Sequence, residues 1–244
     1  MLLLARSLAF NLAFYLVTAL MLLACSPLLL MPRVYASAAH RLHARIIVWL
    51  LRVLTGAKLE VRGRERLPQG AAIIAAKHQS AFDTIGLIPI FRDPAIVMKV
   101  ELLKIPLYGA FCRKFGMIAI DRSKGTRALK EIVRAVGQPL AEGRDVIIFP
   151  EGTRQSPGAD PDYKAGIVPL YEQLNVPVVP VALNSGLFWP RRGFLRRPGT
   201  IVVEILEPLA PGLPRVEFRR RLQDAIETAV ARLVLEARDA ETKF

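Results

Sequence analysis

The stretch AAIIAAKHQSAFDT, residues 71–84, decides how the chain is read. An apolar run ends on Lys77-His78, and Asp83 follows five residues after the histidine. A short apolar run bounded by polar residues reads as a strand buried on both faces. In an open α/β sheet, ligands gather beyond the carboxyl ends of such strands. His78 therefore reads as a strand-exit residue, with SAFDTIGLIPIF (80–91) as the helix that follows.

Working outward, the same alternation repeats. KLEVRG (58–63), PAIVMKV (94–100), MIAIDR (117–122), DVIIFP (145–150), VPVVPVAL (176–183) and TIVVEIL (200–206) read as strands. LYGAFCRKF (107–115), TRALKEIVRAV (126–136) and KAGIVPLYEQL (164–174) read as helices between them. A last amphipathic helix carries Phe218, Leu222, Ile226, Ala229 and Leu233 on one face. The fold class is α/β: a mixed, largely parallel sheet flanked by helices, with an N-terminal membrane-associated helical segment. The strand exits then collect Lys77-His78, Lys99, Asp121-Arg122 and the turn from Pro150 to Arg154 along one edge.

The N-terminal segment is set apart by composition. Residues 7–32 carry no charge, which is long enough for a membrane crossing of roughly 20 residues. LLAC before Ser26 is similar to a lipoprotein cleavage box at Cys25, but the apolar run continues to Met31, unlike a signal peptide. Residues 40–54, HRLHARIIVWLLRVL, mix apolar and basic side chains and read as an amphipathic surface helix. Pro27 and Pro32 between the two segments allow either a true span or an interfacial hairpin. His40 and His43 have ligand-like spacing, but no third ligand lies near them in sequence, so metal binding is not expected. The division expected is 1–55 as membrane-anchoring helices and 56–244 as an α/β domain. Arg33, Arg41, Arg45 and Arg52 follow the apolar run and Arg6 precedes it, which orients the main domain to the cytoplasm.

The chain as a whole is both apolar and basic: 52% hydrophobic residues and a formal charge of +13. That combination points to an anionic membrane surface or phosphorylated partners. Aromatics are only 7% and no nucleic-acid motif is present, so nucleic acid is not an expected partner. Cys25 and Cys112 match no metal or disulfide pattern.

The chemistry follows from residue types. A histidine is mostly neutral at pH 7 and can take a proton. An aspartate beside it can fix the tautomer and stabilise the cation that forms. Ser80 lies too near in sequence to aim well at His78, so the nucleophile is expected to be a substrate hydroxyl. In FPEGTR (149–154), Gly152 lets backbone approach a ligand, and Thr153 and Arg154 can bind phosphate oxygens. Glu151 can hold an arginine or accept a bond from a substrate hydroxyl. In LFWPRRGFLRRPG (187–199), arginines interleave with Phe188, Trp189 and Phe194, as at a lipid headgroup boundary.

These blocks resemble the glycerolipid acyltransferase family, membrane enzymes that include the lysophosphatidate acyltransferases. Its H-x-x-x-x-D block stands at His78–Asp83, its Ile-Asp-Arg block ends at Arg122, FPEGTR is intact at 149–154, and its Val-Pro-Val-x-Pro-Val strand is Val176–Val181. MKVELLKIPLYG is similar to the family's linking segment, with Lys99 at its basic position. Lys77, where many members carry asparagine, and Gln155, where serine is common, depart from the pattern.

The resemblance implies that His78 and Asp83 are catalytic. It implies that Lys99, Arg122, Glu151, Gly152, Thr153 and Arg154 bind substrate, and that Val176–Val181 helps build the sheet and pocket wall. It implies a membrane-bound transferase on the cytoplasmic face of the inner membrane. That enzyme would move an acyl group from acyl-CoA or acyl carrier protein to the sn-2 hydroxyl of 1-acyl-glycerol-3-phosphate, giving phosphatidic acid, without metal or other cofactor. Another lysolipid acceptor, such as a lyso-ornithine lipid, is the alternative within the family. A non-catalytic anionic-lipid-binding module and a thioesterase are the alternatives outside it. The module leaves His78 and Asp83 without a task, and G-x-S-x-G is missing for the thioesterase.

Overall fold

The structure, a computed structural model, describes residues 1–121 and 126–242. Two long helices open the chain, α1 (Leu2–Ala24) and α2 (Arg33–Thr55). Pro27 and Pro32 make the corner between them: Pro27 sits in the first turn of a short 3-10 segment, and Pro32 is extended and caps α2. Gly56 ends α2 in the left-handed conformation, with its N–H bonded to the Arg52 carbonyl.

The remainder alternates strands and helices. In chain order these are β1 (Ala57–Arg62), β2 (Ile73–Ala76), α3 (Asp83–Gly86), β3 (Ala95–Lys99), α4 (Tyr108–Phe115), β4 (Ile118–Ile120), α5 (Thr126–Ala141) and β5 (Val146–Ile148). Then follow α6 (Ile167–Leu174), β6 (Val178–Leu183), α7 (Ser185–Phe188), β7 (Gly199–Ile205) and α8 (Arg215–Thr242). The seven strands form one sheet in the order β1-β7-β6-β2-β5-β3-β4. Every neighbouring pair is parallel except β6 and β7. The strands β2 to β6 therefore deliver their carboxyl ends to one edge, as the mixed, largely parallel reading required.

The helix expected over residues 80–91 is shorter than its pattern: only Asp83–Gly86 is helical, and turns continue to Phe91. Pro89 supplies no N–H and disfavours helical geometry at Ile88, so the helix cannot propagate.

The period-2 alternation of the strands sorts the core onto two faces. Ile74, Ala76, Ile147, Val179 and Val181 pack toward α1 and α2, in a cluster that also contains Phe10, Ile47 and Leu51. Ile73, Ala75, Val146, Val178 and Ala182 pack toward α5, α6 and α8, whose Phe218, Leu222, Ile226, Ala229 and Leu233 form the apolar stripe expected of them. Each fully buried Val, Leu, Ile or Phe among them contributes roughly 1.5–3 kcal/mol. Residues of both N-terminal helices thus share a core with the sheet.

The segment 187–199 is partly open: Arg191, Arg192, Phe194 and Arg197 are exposed. Phe188 and Trp189 are buried, and Trp189 meets Phe10 edge-on at 5.1 Å between ring centroids. Ser7 Oγ accepts the Arg196 N–H at 2.8 Å, and Asn11 donates to the Phe194 carbonyl at 3.0 Å. The Arg196 guanidinium sits 5.0 Å from the centre of the Trp189 ring. This segment is the seat onto which α1 docks. The opposite face of α1, with Leu4, Leu8, Leu12, Leu16, Leu20 and Leu23, is exposed.

Candidate active site

Because successive strand side chains point to opposite faces, Lys77 and His78 leave β2 in opposite directions. His78 follows Ile74 and Ala76 toward the face of the N-terminal helices, where its ring stacks on Phe149 at 4.0 Å. Its Nδ1 lies 2.9 Å from Asp83 Oδ2. A carboxylate oxygen has no proton to give, so Nδ1 carries the hydrogen and Nε2 keeps its lone pair. Asp83 is held as firmly as it holds. Its Oδ2 also accepts the N–H groups of Gln79 at 2.7 Å and Ser80 at 2.8 Å. Its Oδ1 accepts the Ser185 hydroxyl at 2.5 Å.

The turn after β5 grips the same histidine by its main chain. The Glu151 Oε2 accepts the His78 N–H at 3.0 Å, and the Gln155 N–H donates to the His78 carbonyl at 2.8 Å. Gly152, at a φ of 67°, allows the chain to reverse between those two contacts. Glu151 is fully buried, with its Oε1 2.7 Å from Lys77 Nζ. Burial pushes its carboxyl above the ordinary value, and Lys77 pulls it back. Its carboxylate therefore lies beneath the histidine, not at the cavity where a substrate hydroxyl would reach it.

His78 opens onto a cavity of about 780 Å³. Its apolar wall is built from both N-terminal helices and the sheet: Phe14, Met21, Ile85, Val97, Phe111 and Phe149 are among the lining residues. Lys99, Arg154, Lys164 and Arg191 line it as well, and no carboxylate does among the described residues. Arg191 braces the β5 turn, donating to the Arg154 carbonyl at 2.6 Å and to Thr153 Oγ1 at 3.4 Å. An apolar volume of this size with a few cations on it suits a molecule with a hydrocarbon part and an anionic part.

Most of the residues singled out from sequence meet here. His78 and Asp83 are in direct contact, and Lys99, Gly152, Thr153 and Arg154 line the cavity. Arg122 lies outside the described residues. Residues 176–181 lead into β6 and supply its first four residues, on the far side of β2 from β5, and none lines the cavity: that block supplies the sheet and not the pocket wall. His40 and His43 take protein partners, His40 stacked on Phe115 at 4.3 Å and His43 Nε2 3.0 Å from Thr18 Oγ1.

Ser185 is the residue sequence reading passed over. It stands at the exit of β6, next to β2, so the strand-exit rule that finds His78 also reaches it. Gly186 beside it allows the close approach: its N–H donates to Gln79 Oε1, and a Cβ there would come within 2.9 Å of Gln79. With His78 acting as a base held by Asp83, Ser185→Ala should lower turnover about tenfold, the scale of one hydrogen bond to a charged group, with KM little changed. Initial rates at saturating substrate measure it, and an unaltered kcat would show that Ser185 does not steady Asp83.

Sheet and site together define an α/β protein with a histidine, oriented by a carboxylate, at the head of a largely apolar cavity of about 780 Å³. The chain belongs to the acyltransferase family, whose sequence profile matches residues 58–184. It is similar to the 1-acyl-sn-glycerol-3-phosphate acyltransferase of Pseudomonas aeruginosa, with 40% identity over 161 residues, 66% of this chain and 63% of that one. It is 31% identical over 177 residues to the Saccharomyces cerevisiae protein of the same name, 70% of this chain and 58% of that one. The matched stretch thus spans about three fifths of these relatives' length. The crystal structure of the 1-acyl-sn-glycerophosphate (LPA) acyltransferase PlsC from Thermotoga maritima has the same fold, with a TM-score of 0.78 at 24% identity, covering 93% of this chain and 96% of that one.

Proposed function

We propose that this protein transfers a fatty acyl group from a thioester, of coenzyme A or of acyl carrier protein, to the sn-2 hydroxyl of 1-acyl-glycerol-3-phosphate. The observation that carries the reading is His78, with Nδ1 committed to Asp83, facing an apolar cavity that also bears Lys99, Arg154 and Arg191. The names of the relatives support the choice of acceptor. Nε2 takes the hydroxyl proton as the oxygen attacks the thioester carbonyl, and Asp83 stabilises the imidazolium. The new C–O bond forms, the C–S bond breaks, and the proton passes from Nε2 to the leaving sulfur. Neither a metal nor a covalent acyl-enzyme enters this sequence.

The exposed leucine face of α1 supports membrane attachment by a hairpin lying in one leaflet, since its other face is docked on the domain. The basic residues of α2 favour the cytoplasmic leaflet of the inner membrane. The test is purified full-length chain offered 1-acyl-glycerol-3-phosphate, lyso-ornithine lipid and monoacylglycerol with each thioester. Preferred acylation of the phosphate-bearing acceptor is expected. Preference for another acceptor, or thioester hydrolysis without transfer, would overturn the assignment.

Arg154→Lys should raise the KM for 1-acyl-glycerol-3-phosphate more than that for the thioester. Guanidinium grips phosphate through paired hydrogen bonds, and lysine offers a point charge. Monoacylglycerol acylation, slow in the natural enzyme, should change little. A weakened thioester with an unaffected lysolipid would make the β5 turn a donor site.

A further inference from the structure

Behind the catalytic histidine, on the other face of the sheet, lies a second cluster of polar residues. Lys77 is 2% exposed, and its Nζ lies 2.7 Å from Glu151 Oε1 and 2.8 and 3.0 Å from the two carboxylate oxygens of Glu227 on α8. The Tyr163 hydroxyl donates to Glu227 Oε1 at 2.9 Å. The cluster thus holds one lysine and two glutamates; Lys77 and Glu151 are buried beneath β2, and Glu227 is 25% exposed at its rim. None of Lys77, Glu151, Glu227 and Tyr163 lines the cavity.

A buried ion cluster is weak support for stability, since apolar side chains of similar size often replace one at no loss. What distinguishes this one is where it ends. Glu151 spends its other oxygen on the His78 N–H. We propose that Lys77, Glu227 and Tyr163 are positioning residues for the transfer: through Glu151 they fix the main chain of His78, as Asp83 fixes its ring. The inference rests on the base role proposed for His78. It links α8, which contributes nothing to the cavity, to the geometry of the reacting group.

The reasoning is one of charge balance. Lys77→Met leaves Glu151 and Glu227 facing each other without a cation. One of them must then turn away or take a proton, and the His78 N–H loses a charged acceptor. Lys77→Met/Glu151→Gln removes one charge of each sign, leaves the charge on Glu227, which is 25% exposed, and keeps an amide oxygen for the His78 N–H. Small displacements of a catalytic group cost rate, not binding.

The experiment uses the full chain in detergent, labelled with 15N-histidine. The three histidines give three backbone amide signals, and those of His40 and His43 serve as internal references. Lys77→Met should lower kcat roughly 10- to 100-fold with the acceptor KM little changed, and it should move the His78 amide proton toward weaker hydrogen bonding. Glu227→Gln alone should cost less, and the double variant should recover most of the kcat and the amide position. If Lys77→Met does not accumulate as folded protein, Lys77→Gln takes its place with the same expected order. A kcat and amide signal unmoved by the single variant would overturn the inference. So would a double variant no better than the single, or a lowered melting temperature with full turnover in the folded fraction. Should the natural chain acylate no lysolipid while the amide moves and returns as expected, the relay stands and the proposed reaction falls.

Discussion

His78→Ala should lower acyl transfer by roughly 100- to 10,000-fold, the usual contribution of a general base, while the protein stays folded and membrane-bound. The side chain is 11% exposed and stacks on Phe149, so its removal leaves a small gap beside the cavity. The backbone contacts from Glu151 and Gln155 do not involve the imidazole and should survive. His40 and His43 also line the cavity, but His40 is stacked on Phe115 and His43 Nε2 lies 3.0 Å from Thr18 Oγ1, and neither has a carboxylate in the place of Asp83. Single-turnover measurements with saturating thioester separate the chemical step from binding. Transfer at near-natural rates would remove His78 from the mechanism, and with it the reading of the cavity as an active site.

Asp83→Asn should lower kcat by roughly 100- to 10,000-fold with little change in either KM, but for a reason specific to this site. Three N–H donors converge on Oδ2, and only a hydroxyl meets Oδ1. The asparagine oxygen is therefore forced into the Oδ2 place, and its NH2 group faces Ser185, whose hydroxyl can rotate to accept. The His78 tautomer is kept, and what disappears is the negative charge that stabilises the imidazolium. Adding Ser185→Ala to this variant removes the acceptor for that NH2 group and should cost further stability, read as a lower melting temperature. An Asp83→Asn enzyme with natural turnover would show that the carboxylate contributes only tautomer control.

Residues 71–84 disclosed the contact between His78 and Asp83 because both members lie within one strand exit and the turn after it, and local patterning carries such information. The parallel sheet was legible for the same reason: β2, β5 and β6 are apolar on both faces and read as near-continuous hydrophobic runs. The contacts that complete the site are of another kind. Ser185 reaches Asp83 across 102 positions, and Glu227 reaches Lys77 across 150. Both depend on which strands and helices become neighbours, and a periodic pattern does not encode that. In the arginine-aromatic segment 187–199, composition does not say that Trp189 packs against Phe10 of α1 while Phe194 stays exposed. Pro89 was present in the sequence to shorten α3, but the apolar run around it outweighed it.

The cavity wall is shared between the sheet and the same two helices that present leucines outward. A hydrocarbon chain passing from a bilayer into this space exchanges one apolar surrounding for another. The driving force of about 0.8 kcal/mol per methylene, which operates when a chain leaves water, is then largely cancelled. Discrimination among bilayer-borne ligands falls to their polar ends, and their effective concentration is a surface density. For water-soluble, short-chain analogues the full term returns, so each added methylene tightens their binding. The same protein would rank a ligand series one way in vesicles and another way in solution, with no change in a single contact.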